Sequence, residues 1–150
     1  MLKTLRVVTA FTLVLLTVAL TAAEAPVATT DLISQGEQQL KENDIDGAIA
    51  TLTTAVDQEP DSSLAHTRLA GAYLLGQRHG EAIDQFQQAI SLDTNNAAAF
   101  IGMGIAYLHS GQFGAAKAAL GGAKRLDPGK TEQIDELIAR IDQRGAASPH

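Results

Sequence analysis

Apolar residues recur every three or four positions through most of the chain after residue 28. This spacing places them on one face of an α-helix. One such segment puts four residues on a common face: Leu69, Ala70, Tyr73 and Leu74. Short stretches rich in Gly, Asp, Asn, Ser and Pro separate the segments and are typical of turns. The pattern predicts an all-α fold built from pairs of helices.

The helix pairs repeat every 34 residues. Pro60 and Pro128 are 68 residues apart, twice that period, and a polar turn around Thr94 lies halfway between them. Residues of similar size recur at the same interval, in four columns: Gly36, Ala70, Gly104; Ala48, Ala82, Ala116; Ala55, Ala89, Ala123; and Leu52, Phe86, Leu120. A fixed period of this length is typical of stacked repeats that share a core. We predict three units, at residues 29–62, 63–96 and 97–130.

The two ends of the array differ from its middle. Residues 131–143 predict a helix that caps the last unit, because four apolar residues share one face: Ile134, Leu137, Ile138 and Ile141. Residues 144–150 are expected to form a flexible tail. In the first unit, Gln35 occupies the column that holds Leu or Met in later units, and Gln39 occupies the column that holds Tyr. This end is either a polar cap that faces water or a face that docks on a partner.

Residues 1–23 have the composition of a secretory signal peptide. They begin with Lys3 and Arg6, continue with an uncharged apolar run and end in small residues. We expect cleavage after Ala23, a linker at residues 24–28 and export, with the bacterial periplasm as the compartment. Two alternatives stay open. In the first, the segment is an uncleaved anchor facing the periplasm, since the 17 uncharged residues before Glu24 reach the lower limit for a membrane span. In the second, it is a cytosolic helix.

Charge and composition exclude several classes of partner. The net charge is −6, and removal of residues 1–23 takes away two basic residues and no acidic one, which changes it to −8. An acidic chain without a basic cluster is unsuited to nucleic acid or to an anionic membrane surface. The chain has no cysteine, which excludes disulfides and thiolate metal sites.

No pattern of reactive residues predicts catalysis, a cofactor, a metal or a small-molecule substrate. No two of the four histidines are four residues apart. His66 and His79 fall in columns of apolar residues, which predicts packing, while His109 ends a helix near the expected binding face. Asp44 is expected to cap a helix.

The third unit is rich in glycine. Gly102 and Gly104 begin a G-x-G pattern, but Tyr107 replaces the third glycine of a phosphate-binding loop. Gly104 is better explained as a small residue that lets two helices approach closely. Gly102, Gly121 and Gly122 have no glycine in their columns and are expected only to loosen this unit.

The 34-residue period, the small-residue columns and the late proline together resemble the tetratricopeptide repeat over residues 29–130, with a capping helix to about residue 143. This resemblance implies a right-handed superhelix of three helix–turn–helix units. It also implies a concave groove lined by the first helix of each unit.

By this resemblance the partner-binding groove is lined by Ile33, Glu37, Leu40, Lys41, Thr67, Arg68, Gly71, Leu74, Leu75, Ile101, Ile105, Leu108 and His109. Many of these residues are apolar, which suits a peptide or helix of another protein. We therefore expect a non-catalytic scaffold or adaptor in the assembly of an envelope complex. A self-associating structural subunit is the alternative. One known mode of the family, a clamp for a C-terminal carboxylate, is not expected because Glu37 and Gly102 occupy two of its columns.

Overall fold

A computed structural model describes residues 27–147, and the regular secondary structure over that range is entirely helical. It contains seven α-helices: α1 Thr29–Lys41, α2 Ile45–Gln58, α3 Ser63–Leu75, α4 His79–Leu92, α5 Ala97–His109, α6 Phe113–Leu126 and α7 Thr131–Ala147. A short 3-10 helix, Pro128–Lys130, precedes α7. The predicted all-α class is confirmed. The predicted signal segment, residues 1–23, lies outside the described residues.

Three of the helices begin where a side chain replaces a missing backbone partner. Asp44, Ser62 and Asn96 precede α2, α3 and α5, and each accepts a hydrogen bond from the backbone N–H three residues on, at 2.9–3.2 Å. Such a cap contributes about 0.5–2 kcal/mol to stability. The capping role predicted for Asp44 is confirmed.

The turn inside each helix pair has the same geometry in all three pairs. Asn43, Gln77 and Gly111, spaced 34 residues apart, adopt left-handed backbone conformations with φ of 63°, 59° and 72°. In each turn this residue and the next donate backbone hydrogen bonds of 2.8–3.1 Å to carbonyls of the preceding helix. These two bonds close the helix end in a Schellman motif. The period of the sequence is therefore also a period of the backbone.

Each helix pair closes around a small residue. A Cβ atom at Gly104 of α5 would lie 2.7 Å from Leu120 Cγ and 3.3 Å from the carbonyl oxygen of Ala116 on α6. A Cβ at Gly36 of α1 would likewise lie 2.6 Å from Leu52 Cγ. The interpretation of these positions as packing residues is confirmed.

The remaining glycines of the third unit correct an expectation. A Cβ at Gly102 would lie 2.1 Å from Phe86 Cζ, and one at Gly122 would lie 2.9 Å from Phe100 Cδ1. These two glycines do not loosen the unit, because each provides the space for an aromatic ring from another helix. Gly121 is different, since its nearest such neighbour is an arginine nitrogen 3.9 Å away.

Two tyrosines connect the cores of neighbouring pairs. Buried residues form three clusters along the array. Tyr73 packs against the first and second clusters, and Tyr107 packs against the second and third. The core is therefore continuous from α1 to α7.

The last helix covers the third pair. Ile134 and Ile141 of α7 are almost fully buried in the third cluster. The helix continues to Ala147, whereas the sequence pattern predicted an end near residue 143 and a flexible tail from residue 144. The extra turn packs against the start of α6, where a Cβ at Gly145 would lie 3.6 Å from Phe113 Cδ2.

Candidate functional site

The predicted groove follows the first helices of the three pairs, because α3 lies between α1 and α5. The structure divides the predicted groove residues by exposure. Three are buried: Ile33, Thr67 and Leu108. Seven are half-exposed: Glu37, Leu40, Arg68, Gly71, Leu74, Ile101 and Ile105. Three are exposed: Lys41, Leu75 and His109.

Thr67 belongs to a polar network inside the protein. Its hydroxyl donates to the carbonyl of Ser63 at 2.7 Å and accepts from Asn96 Nδ2 at 2.9 Å. Asn96 Nδ2 also donates to Ser63 Oγ at 2.9 Å, and that hydroxyl donates to the carbonyl of Ala89 at 2.8 Å. The Thr67 hydroxyl is hydrogen-bonded inside the protein, and only 8% of the residue is exposed. Thr67 therefore does not belong to the contact surface of the groove.

Ile33 is also removed from that surface. It is 7% exposed and belongs to the first core cluster, with Leu32 and Leu52. The column spacing placed it on the side of α1 that faces the groove, but α1 is an end helix and uses this residue to close its own pair. The accessible apolar surface of the groove is therefore centred on α3 and α5.

A charged pair lies between α1 and α3. Arg68 Nε donates to Glu37 Oε1, and both side chains are about two-fifths exposed. The two opposite charges balance each other at this end of the groove. An additional negative group placed here would be repelled by Glu37 and would compete with it for Arg68.

A cleft of about 510 Å³ opens between α5 and α7. It is lined by Ile105, Leu108, His109, Leu137, Arg140, Gln143 and Arg144. Three of these residues were predicted to line the groove, and Leu108, although 9% exposed, forms part of the cleft wall. The four α7 residues were missed because α7 was interpreted only as a cap. Arg140 and Arg144 are four residues apart, which was the available signal for a common helix face.

The histidines do not gather into a metal site within residues 27–147. His66 is buried, as its column predicted, with Nδ1 2.7 Å from Gln85 Oε1 and Nε2 2.8 Å from the carbonyl oxygen of Pro60. His79 stacks on His109 with ring centroids 5.3 Å apart and an interplanar angle of 14°. The stack fixes His109 at the rim of the cleft.

The two members of an ion pair away from the groove have shifted pKa values. Arg78 donates to Glu81 at 2.8 Å, and its guanidinium lies 4.6 Å from the centre of the Tyr73 ring. The hydrogen bond to Glu81 raises the pKa of Arg78. The pKa of Glu81 is lowered by the hydrogen bond from its own backbone N–H and then by that from Arg78.

The polar end of the array is partly enclosed. Gln35 is exposed, whereas Gln39 is half-buried. The Oε1 atom of Gln39 is buried and has no hydrogen-bond partner in the described part of the chain.

Stacked antiparallel helix pairs with a 34-residue period, a shared core and a capping helix define an α-helical repeat protein. Two sequence models of the tetratricopeptide repeat match the chain, one over residues 34–99 and the other over residues 74–141. The chain belongs to the tetratricopeptide repeat family, as the column pattern indicated.

Solved structures with the same fold are similar over most of their length. The first such domain of human RPAP3 is 23% identical, with a TM-score of 0.77 over 82% of this chain and 96% of that one. The second domain of human RPAP3, in complex with the HSP70 peptide SGPTIEEVD, is 27% identical, with a TM-score of 0.72 over 76% and 94%. The TPR2B domain of yeast Sti1, in a pHsp70 complex, is 21% identical, with a TM-score of 0.74 over 77% and 97%.

Among residues 27–147, no helix combines the length and apolar character that crossing a membrane requires.

Proposed function

We propose that this protein is a non-catalytic adaptor that holds a peptide or helix of a partner protein in the groove formed by α1, α3, α5 and α7. The observation that carries the proposal is the apolar surface in the middle of that groove. Leu74 and Ile105 are half-exposed, and Leu75 is 61% exposed. Exposed apolar side chains grouped in a concave surface are typical of a binding site for a protein segment.

The similar domains support this type of ligand. The second human RPAP3 domain was solved with a bound peptide. Its sequence identity to this chain is low, so the likeness supports the type of interaction and not the identity of the partner.

Capture of partners from cells tests the proposal. Leu75→Asp places a charge in the groove at an exposed position, so the fold should persist. Leu92→Asp is the matched control, because Leu92 is also exposed, at 41%, but ends α4, the second helix of its pair. We expect proteins cross-linked to the wild type to be lost with Leu75→Asp and retained with Leu92→Asp. Equal recovery with both variants would count against a groove adaptor.

We further propose that the adaptor acts in the bacterial envelope, in the assembly of a complex. The support is the composition of residues 1–23, with its basic start, apolar run and small-residue exit. Intact mass spectrometry of the protein purified from the envelope should find a chain that begins at Glu24. A full-length mass in the membrane fraction would instead favour an uncleaved anchor.

A self-associating subunit is the second candidate, favoured by the exposed leucines Leu64 and Leu75 at 49% and 61%. Light scattering of the chain without residues 1–23 separates the two candidates. A monomer at high concentration removes the second one, whereas a dimer dispersed by Leu75→Asp would support it.

A further inference from the structure

Gly71 lies in the middle of α3, where the packing of the protein does not require a glycine. A Cβ atom at Gly36 or Gly104 would collide with a leucine of the facing helix, whereas one at Gly71 would meet no atom of the described residues within 4 Å, apart from its chain neighbours and its own helix backbone. A glycine inside a helix is destabilising relative to alanine. Gly121 is comparably open, but it lies on α6, the second helix of its pair. The half-exposed Gly71 instead lies on the predicted groove surface.

The open space beside Gly71 has both apolar and charged neighbours. Arg68 lies one turn before Gly71 on α3, and Leu74 and Leu75 lie one turn after it, so these residues share one side of the helix. Arg68 Nε donates to Glu37 on α1. A side chain that enters this space would therefore contact the α3 backbone, with leucines at one end and a guanidinium at the other.

Glycines of this protein provide space for aromatic rings at two other places. A Cβ at Gly102 of α5 would lie 2.1 Å from Cζ of Phe86, which belongs to α4. A Cβ at Gly122 of α6 would lie 2.9 Å from Cδ1 of Phe100, which belongs to α5. In both cases a ring from another helix occupies the space that a side chain would fill. Gly71 provides space of the same kind on an accessible surface.

The arginine of this surface suits an aromatic ring as well. Elsewhere in the chain, Arg78 donates to Glu81 at 2.8 Å while its guanidinium lies 4.6 Å from the centre of the Tyr73 ring. An arginine held by a carboxylate can therefore contact a ring at the same time. Arg68 is likewise held by Glu37, and its side chain is about two-fifths exposed. A cation in this position attracts the face of an aromatic ring.

We propose that Gly71 forms a subsite for an aromatic side chain of the partner segment. The ring packs on the α3 backbone at Gly71 and is bordered by Leu74, Leu75 and the Arg68 guanidinium. This inference rests on the proposed adaptor function and names the type of side chain that the groove selects. The leucines favour any large apolar side chain, whereas the guanidinium adds an attraction that only an aromatic ring receives. The subsite also gives a reason for a glycine that the internal packing does not explain.

Three short peptides test the proposal on the chain without residues 1–23, which retains all of the described residues. Each peptide is uncharged, capped at both ends and composed of Ser and Leu around one variable residue, which is phenylalanine, cyclohexylalanine or alanine. Cyclohexylalanine is close to phenylalanine in size but has no aromatic face. By NMR titration of the nitrogen-15-labelled protein, we expect the phenylalanine peptide to bind at least ~10-fold more tightly than the alanine peptide. It should bind roughly 2- to 5-fold more tightly than the cyclohexylalanine peptide.

Single substitutions assign the preference to the subsite. Gly71→Ala should reduce the affinity for the phenylalanine peptide to that for the alanine peptide, because the added methyl group occupies the space of the ring. Its melting temperature should equal or exceed that of the wild type, since alanine favours a helix, so unfolding would not explain the loss. Gly121→Ala is the matched control, because it fills an open helical position outside the groove, and it should leave the three affinities unchanged. Arg68→Gln should abolish the preference for phenylalanine over cyclohexylalanine.

Each part of the proposal has a result that would overturn it. Undiminished binding of the phenylalanine peptide by Gly71→Ala would show that the ring does not lie at Gly71. Equal binding of the phenylalanine and cyclohexylalanine peptides by the wild type would refute the aromatic preference. A dimer that Gly71→Ala converts to monomer would show that a second copy of the chain occupies the space. No binding of any peptide up to millimolar concentration would also refute the subsite, while capture with Leu75→Asp and Leu92→Asp decides the adaptor function separately.

Discussion

Gly104 on α5 and Leu120 on α6 are in contact so close that no side chain fits between them. A Cβ atom at Gly104 would lie 2.7 Å from Leu120 Cγ and 2.9 Å from Leu120 Cδ2, and Leu120 is fully buried. The Leu120 side chain has no room to move away, because it is fully buried. The conformational cost of a glycine inside a helix is thus offset by the packing that the glycine permits.

Gly104→Ala should destabilise the protein. We expect a loss of about 1–3 kcal/mol from overpacking, reduced by the ~0.5–1 kcal/mol that alanine gains as a helix former. Urea unfolding followed by circular dichroism measures the change. Gly71→Ala on α3 is the control, since apart from its chain neighbours and its own helix backbone no atom lies within 4 Å of its added Cβ, and it should be neutral or stabilising. Stabilisation by Gly104→Ala would contradict the packing argument.

The left-handed turn column allows a matched exchange. Gln77 and Gly111 occupy equivalent turns with φ of 59° and 72°, and a left-handed conformation costs a residue with a Cβ roughly 1–2 kcal/mol. Gln77→Gly should therefore stabilise the protein, by less than that amount because glycine also gains freedom in the unfolded chain. Gly111→Gln should destabilise it. Thermal unfolding of both variants checks the opposite signs, and shifts in the same direction would refute the account.

Asn96 connects two helix pairs. It caps α5 by accepting from the Ala99 N–H at 2.9 Å, and its amide donates to the hydroxyls of Ser63 and Thr67 on α3. Asn96→Ala should cost about 1–3 kcal/mol, from the lost cap and the two lost hydrogen bonds to the hydroxyls of Ser63 and Thr67. Asn95→Ala is the control, because this neighbour is exposed, and it should change stability by less than ~0.5 kcal/mol. Chemical denaturation of the two variants gives the comparison, and equal values would refute the connecting role.

Glu81 should titrate below its ordinary pKa. Because its pKa is lowered in the folded protein, the unfolded chain binds more protons in acid. The stabilising contribution is present above the unfolded value of about 4.3 and is lost as the pH falls through the folded pKa. Carbon-13 NMR of the Glu81 carboxyl measures this pKa directly.

Arg78→Gln should raise the pKa of Glu81 only in part, because the larger cause is the hydrogen bond from the Glu81 backbone N–H. Arg140→Gln on α7 is the control and should leave it unchanged. An ordinary pKa for Glu81 in the wild-type protein would refute the assignment.

The period of the sequence predicted the fold because small residues must recur wherever the same two helices touch. The column of Gly104 therefore identified a position at which α5 and α6 approach closely, as they do in the structure. The contact between Gly102 and Phe86 was missed. These residues belong to neighbouring units, and their fit depends on how one helix pair packs against the next, which the period alone does not show.

The candidate site was predicted less completely than the fold. Column positions indicated which side of a helix faces the groove, but they did not show that the Thr67 hydroxyl is hydrogen-bonded to Ser63 and Asn96. The α7 side of the groove was missed for a different reason. Arg140 and Arg144 lie outside the 34-residue period, so no column assigned them to a surface, although their spacing placed them together.

Tyr73 and Tyr107, each shared by two neighbouring clusters, have a consequence for how the molecule melts. When one helix pair unfolds, the neighbouring pair loses contacts. We therefore expect the array to unfold in a single cooperative step rather than from one end. We expect a surface held in this way to keep its shape when a ligand binds. Association then forfeits little backbone entropy, and the affinity depends mainly on the side chains that the partner presents.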